Sequence, residues 1–250
     1  MQLVESEQLV PTSDGIMPTF AAAPDARGAH PAVIVLMDAP GVRGALRDVA
    51  RRIATAGFTA LLPDLYYRSG RGIQFGPTRD HPEAEANRKR MMAMVATLNN
   101  DSVARDVQAL LDWCAHSHFA RAGAAALVGY CMSGAFAVCA AARCAERVAC
   151  TASYFGTRLV TERTDSPHLL LPKIRGELYF SFAEDDPYVT PAQVEALRAH
   201  LDSSGAHYIL ETYEDSHHGF VFPDRGNYHE ASAARHWRTL SGLLERNLTQ

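Results

Sequence analysis

The sequence contains no run of the roughly 18 apolar residues that a membrane-spanning helix requires, so nothing in it reads as a span. It has no long basic block, and its acidic and basic residues are interspersed to a net charge of −4. That pattern speaks against nucleic-acid partners and against docking on an anionic membrane. The N-terminal residues, Met-Gln-Leu-Val-Glu-Ser-Glu, lack the positive segment and apolar core of a secretory signal. Cysteine is sparse and odd in number: Cys114, Cys131, Cys139, Cys144 and Cys150, with no C-x-x-C spacing. Neither a disulfide framework nor a zinc site is expected, and the five residues read as reduced thiols of a cytoplasmic protein. Internal repeats and low-complexity linkers are also missing, so residues 1–250 read as a single domain.

What is present is a rhythm. Residues 31–37 form a continuous apolar run, as in a strand covered on both faces. Leu46, Val49, Ile53 and Ala56 then recur at helical spacing, with Gly57 as a stop. A strand over 58–62, a polar and aromatic loop over 65–80, and helices near 82–97 and 101–116 follow. Further strands are expected at 124–128, 147–155, 176–182 and 207–213, with helices at 135–143, 191–202 and 229–247. Two short strands near 2–10 and 16–22 precede the series. Strand and helix in alternation predict an α/β fold, a mostly parallel central sheet with helices on both faces. In such sheets chemistry gathers at the carboxyl ends of the strands.

Residues 129–134, Gly-Tyr-Cys-Met-Ser-Gly, lie where a short apolar strand turns into an alanine-rich helix. Small residues around a nucleophile at such a turn let the backbone bend sharply and lift one side chain clear of the sheet. That side chain is Cys131, although a cysteine in an apolar stretch is more often a small buried hydrophobe. Two other loops bear on the choice. Asp186, followed by Pro187, comes after the strand ending near 182, where it could equally cap the next helix. His218 comes after the strand ending near 213, where a lone histidine is commonly solvated. Taken together, nucleophile, acid and base occur in the chain order of the α/β-hydrolase triad. An oxyanion formed on Cys131 would be held by the backbone N–H of Met132 and by that of Ala39, in the loop after the strand at 31–37.

Met-Asp-Ala-Pro-Gly-Val-Arg (37–43), Pro-Asp-Leu-Tyr-Tyr-Arg (63–68), the elbow, Asp-Asp-Pro-Tyr-Val (185–189) and His-Gly-Phe (218–220) together resemble the dienelactone hydrolase (carboxymethylenebutenolidase) family of α/β-hydrolases. The resemblance runs from about residue 14 to 246. It implies an α/β-hydrolase fold and a hydrolase of small esters or lactones working through an acyl-enzyme thioester. It gives Cys131, Asp186 and His218 the roles of nucleophile, orienting acid and base, and suggests a place in the breakdown of aromatic compounds. No cofactor or metal is implied, and the partner is a small-molecule substrate acted on by a monomer or small homo-oligomer.

Three positions depart from the family's pattern. Where family members place a Glu that helps activate the thiol, this sequence has the shorter Asp38, which could relay a proton or brace the oxyanion loop. Ser133 stands where the elbow usually carries a second Gly. Of two arginines that hold a substrate carboxylate, Arg68 matches the first, while the second position is Phe222 and Arg225 lies out of register. Arg68, Tyr130 and Phe222 are therefore the expected substrate-binding residues, with a substrate less acidic than a dienelactone. A general carboxylesterase or thioesterase, or a ligand-binding protein of the same fold without turnover, would share most of these features.

Overall fold

The computed structural model describes residues 2–25, 28–76, 81–121 and 123–249. Two antiparallel strands, β1 (Leu3–Thr12) and β2 (Gly15–Pro24), open the chain as a hairpin. Both are longer than the sequence pattern suggests. β1 lies at the sheet edge with many side chains in solvent, which blurs its apolar signal. Next come β3 (Ala32–Leu36), α1 (Gly44–Thr55) and β4 (Thr59–Pro63), followed by α2 (Ala84–Val95) and α3 (Asn100–His116). The chain continues through β5 (Ala125–Tyr130), α4 (Ser133–Arg143) and β6 (Val148–Tyr154) to a 3-10 helix at Pro167–Lys173. It ends with β7 (Glu177–Asp185), α5 (Pro191–Ser204), β8 (Tyr208–His217) and α6 (Glu230–Leu248).

The eight strands form one sheet in the order β1-β2-β4-β3-β5-β6-β7-β8. β2 pairs with β4 antiparallel, and every pair from β4 to β8 is parallel. Residues of β3, β4 and β5 are buried throughout, because helices cover both sides. α1 and α6 share one face, where the Arg52 guanidinium lies over the Trp237 ring, 4.2 Å from its centroid. α3, α4, the 3-10 helix and α5 pack in a row on the other. The segment at 157–173 thus ends against α4 and α5, with Leu159 and Leu171 buried.

Two details of this frame position the site. β7 and β8 both run further than the apolar pattern, and their pairing shifts register between Ala183 and Asp185. The shift leaves Asp186 and His218 one residue beyond the ends of neighbouring strands. At β5 the chain passes into α4 through a turn whose tightness excludes larger side chains. A Cβ on Gly129 would meet the Ser133 carbonyl oxygen at 2.2 Å, and one on Gly134 would meet Ser153 Oγ at 2.3 Å. Close approach of backbone at Gly129, and of the Ser153 side chain and the Gly156 backbone at Gly134, is what demands glycine there.

Candidate active site

Cys131 occupies the top of that turn with φ of +55°, a left-handed conformation that costs a non-glycine residue free energy. The surroundings fix it there. Its N–H donates to the Tyr154 carbonyl at 3.2 Å, and its own carbonyl accepts from the N–H groups of Gly134 and Thr157, each at 3.1 Å. Of the five free cysteines, Cys131 is partly exposed and the other four are buried.

His218 and Asp186 meet across the ends of β8 and β7, with 2.8 Å between His218 Nδ1 and Asp186 Oδ2. The second Asp186 oxygen accepts from the Tyr188 N–H at 2.9 Å, and the Asn227 amide donates to the His218 carbonyl at 3.0 Å. Phe155 and Tyr188 stand edge-on to the imidazole at 5.0 and 4.7 Å between ring centroids. His218 Nε2 is buried, and Cys131 lies close enough to act on the imidazole. Burial disfavours the imidazolium, but Cys131 and the Asp186 bond outweigh it and raise the His218 pKa to about 10. Asp185 and His217 form a separate, exposed pair.

The backbone N–H groups of Ala39 and Met132 donate to no acceptor among the described residues. The Ala39 carbonyl accepts from the Tyr66 hydroxyl at 2.7 Å. Buried Asp38 accepts from Arg43 and, at 3.4 Å, from Arg225, and Arg43 also reaches Asp224 at 2.6 Å. Two guanidinium groups and two carboxylates thus form one cluster of no net charge. No group of three or more metal-ligating side chains occurs among the described residues.

The structure redirects three expected substrate contacts. Arg68 is engaged through Nη1 and Nη2, each at 2.8 Å, with the buried carboxylate of Asp106 on α3, and through Nε with Asp14 at 2.9 Å. Its fork is filled by the protein itself rather than offered to a ligand. Tyr130 is wholly buried and its hydroxyl meets His236 Nε2 of α6 at 2.9 Å, so its side chain is engaged in the core. Phe222 is buried too, edge-on to Tyr130 at 5.2 Å and beneath the Arg43 guanidinium at 4.7 Å. The partner of Arg68 left one trace in the sequence: Asp106 interrupts the apolar face made by Val103, Val107, Leu110 and Cys114. The pairing of Asp38 with Arg225, 187 positions later, left none.

Cys131 on a tight turn after β5, with Asp186 after β7 and His218 after β8 on this strand order, is the layout of the α/β-hydrolase fold. The sequence pattern of the dienelactone hydrolase family matches residues 17–248. The chain belongs to that family, which makes it a carboxylic ester or lactone hydrolase. Among its relatives is a carboxymethylenebutenolidase of Pseudomonas sp. (strain P51), 29% identical over 219 residues, covering 87% of this chain and 86% of the relative. A Synechocystis protein provisionally given the same name is 26% identical over 232 residues, 92% of this chain and 91% of its own length. A crystal structure of a provisionally named dienelactone hydrolase from Klebsiella pneumoniae superposes with a TM-score of 0.85 at 23% identity, over 97% of this chain and 98% of that one. At that identity the likeness speaks for the fold alone.

Proposed function

We propose that the enzyme hydrolyses a small neutral ester or lactone through a thioester on Cys131. The observation that carries this reading is the set Asp186–His218–Cys131, with the cysteine held at φ of +55° and beside the imidazole, and the imidazole bonded at 2.8 Å to Asp186. In this reading the Cys131 thiol passes its proton to His218, its sulfur attacks the carbonyl carbon and the carbonyl π pair moves to oxygen. The N–H groups of Met132 and Ala39 bind that oxyanion. Collapse expels the alkoxide, which takes its proton from the His218 imidazolium, leaving an acyl thioester. Neutral His218 then draws a proton from water, hydroxide adds to the thioester, and the thiolate leaves.

Asp38, matched by two arginines, acts here as a brace for the oxyanion loop rather than as an activator of the thiol. The preference for a neutral acyl group follows from charge. Arg68 is neutralised by Asp106 and Asp14, and the Arg43–Arg225 cluster is balanced by Asp38 and Asp224. Reduced buried thiols suit a cytoplasmic setting. The test is hydrolysis of p-nitrophenyl acetate beside a matched ester carrying a carboxylate. Wild type should favour the neutral ester, and Cys131→Ala should remove turnover of both while its circular dichroism and Tm stay native. Turnover retained in Cys131→Ala would end the cysteine reading, and a preference for the acidic ester would end the neutral one.

A further inference from the structure

Ser133 is the first residue of α4, fully buried, and its hydroxyl donates to the main-chain carbonyl of Met37. That bond joins two segments 96 positions apart in the sequence. Each end lies beside one of the two unpaired N–H groups. Met132 directly precedes Ser133, and the Met37 carbonyl is one peptide upstream of the peptide that carries the Ala39 N–H. The Ala39 carbonyl, one peptide downstream, is held by the Tyr66 hydroxyl at 2.7 Å. The Ser133 backbone has little room to shift towards β5, since its carbonyl sits where a Cβ on Gly129 would lie 2.2 Å away.

We propose that Ser133 is a positioning residue that sets the spacing of the oxyanion hole by pinning the β3–α1 loop to the elbow. The proposal rests on the cysteine-hydrolase reading above. A hydroxyl is needed because the two segments come from different elements and, among the described residues, share no other hydrogen bond: β3 pairs with β5 only as far as Leu36↔Gly129. Beyond that point the Ala39 N–H would be free to drift from the Met132 N–H. Two donors 2.7–3.1 Å from one oxygen tolerate little drift, and a misplacement of about 1 Å costs on the order of a hundredfold in rate.

The probe is a trifluoromethyl ketone matched to the ester substrate, set against the matched amide. The ketone accepts the Cys131 sulfur at its carbonyl carbon; the π pair becomes the oxyanion, and the thiol proton passes to His218. The amide binds as a planar ground state. In Ser133→Ala, kcat/KM should fall and the Ki of the ketone should rise by the same factor, roughly tenfold, while amide affinity and KM stay within about twofold. Tyr66→Phe, which releases the Ala39 carbonyl from the other side without changing volume, should act in the same direction. Ala140→Gly, inside α4 and away from the hole, controls for lost stability: it should lower Tm and leave the ketone Ki unchanged. Ketone affinity in Ser133→Ala within twofold of wild type would overturn the proposal, as would a loss matched by Ala140→Gly at equal Tm. Turnover that persists in Cys131→Ala would overturn both the proposal and the reading beneath it, in a variant where Ser133 is intact.

Discussion

Arg68 shows how one side chain's role is fixed by what else lies within its reach. A guanidinium suits a substrate carboxylate, but it suits a buried protein carboxylate equally well, and Asp106 offers one at 2.8 Å to two of its nitrogens. Removing one partner of such a pair leaves an uncompensated buried charge, a loss of about 3–5 kcal/mol. Because Arg68 keeps some solvent access, the lower end applies. Arg68→Ala is therefore expected to lose about 3 kcal/mol of stability in urea unfolding, with the ratio of kcat/KM between neutral and acidic esters unchanged. A collapse of activity on acidic esters alone would restore Arg68 to the substrate. Phe222 makes a parallel point, since its ring supports the Tyr130 side chain directly behind the nucleophile.

At the scale of elements, the acid and base hang from the ends of adjacent parallel strands, so the register of β7 on β8 sets their 2.8 Å contact. Their coupling makes a signed statement about pH. The His218 pKa is raised from an ordinary 6.5 to about 10, so the stabilisation it brings is complete below 6.5 and lost as pH climbs through 10. In the proposed mechanism acylation needs the imidazolium to protonate the departing alkoxide, so kcat/KM should fall on the alkaline side near pH 10. Asp186→Asn removes one of the two partners that raise this pKa, and the alkaline limb should shift to lower pH. A pH–rate profile of both proteins checks it; an unmoved limb would detach Asp186 from the base.

For the whole molecule, the sheet buries four of its five thiols and leaves Cys131 partly exposed. A thiol-specific reagent should titrate one group in the native enzyme and five in denaturant; more than one fast-reacting thiol would contradict the packing. Much of this architecture was legible in the sequence, because buried parallel strands are written as unbroken apolar runs and the elbow as small residues around Cys131. The meeting of Cys131, Asp186 and His218 could be read for the same reason: loops at one edge of such a sheet must converge. What stayed hidden is side-chain direction. Whether Tyr130 points to a pocket or to His236, and whether Asp38 meets a thiol or two arginines, depends on α6 and on the loop at 219–229, far along the chain. The strand order carries one more consequence. Cys131 rises from β5, in the interior of the sheet, whereas His218 follows β8, its half-exposed outer strand. Edge strands open at lower free energy than central ones, so the enzyme should fall silent through local fraying of its rim while most of its protein body is still folded.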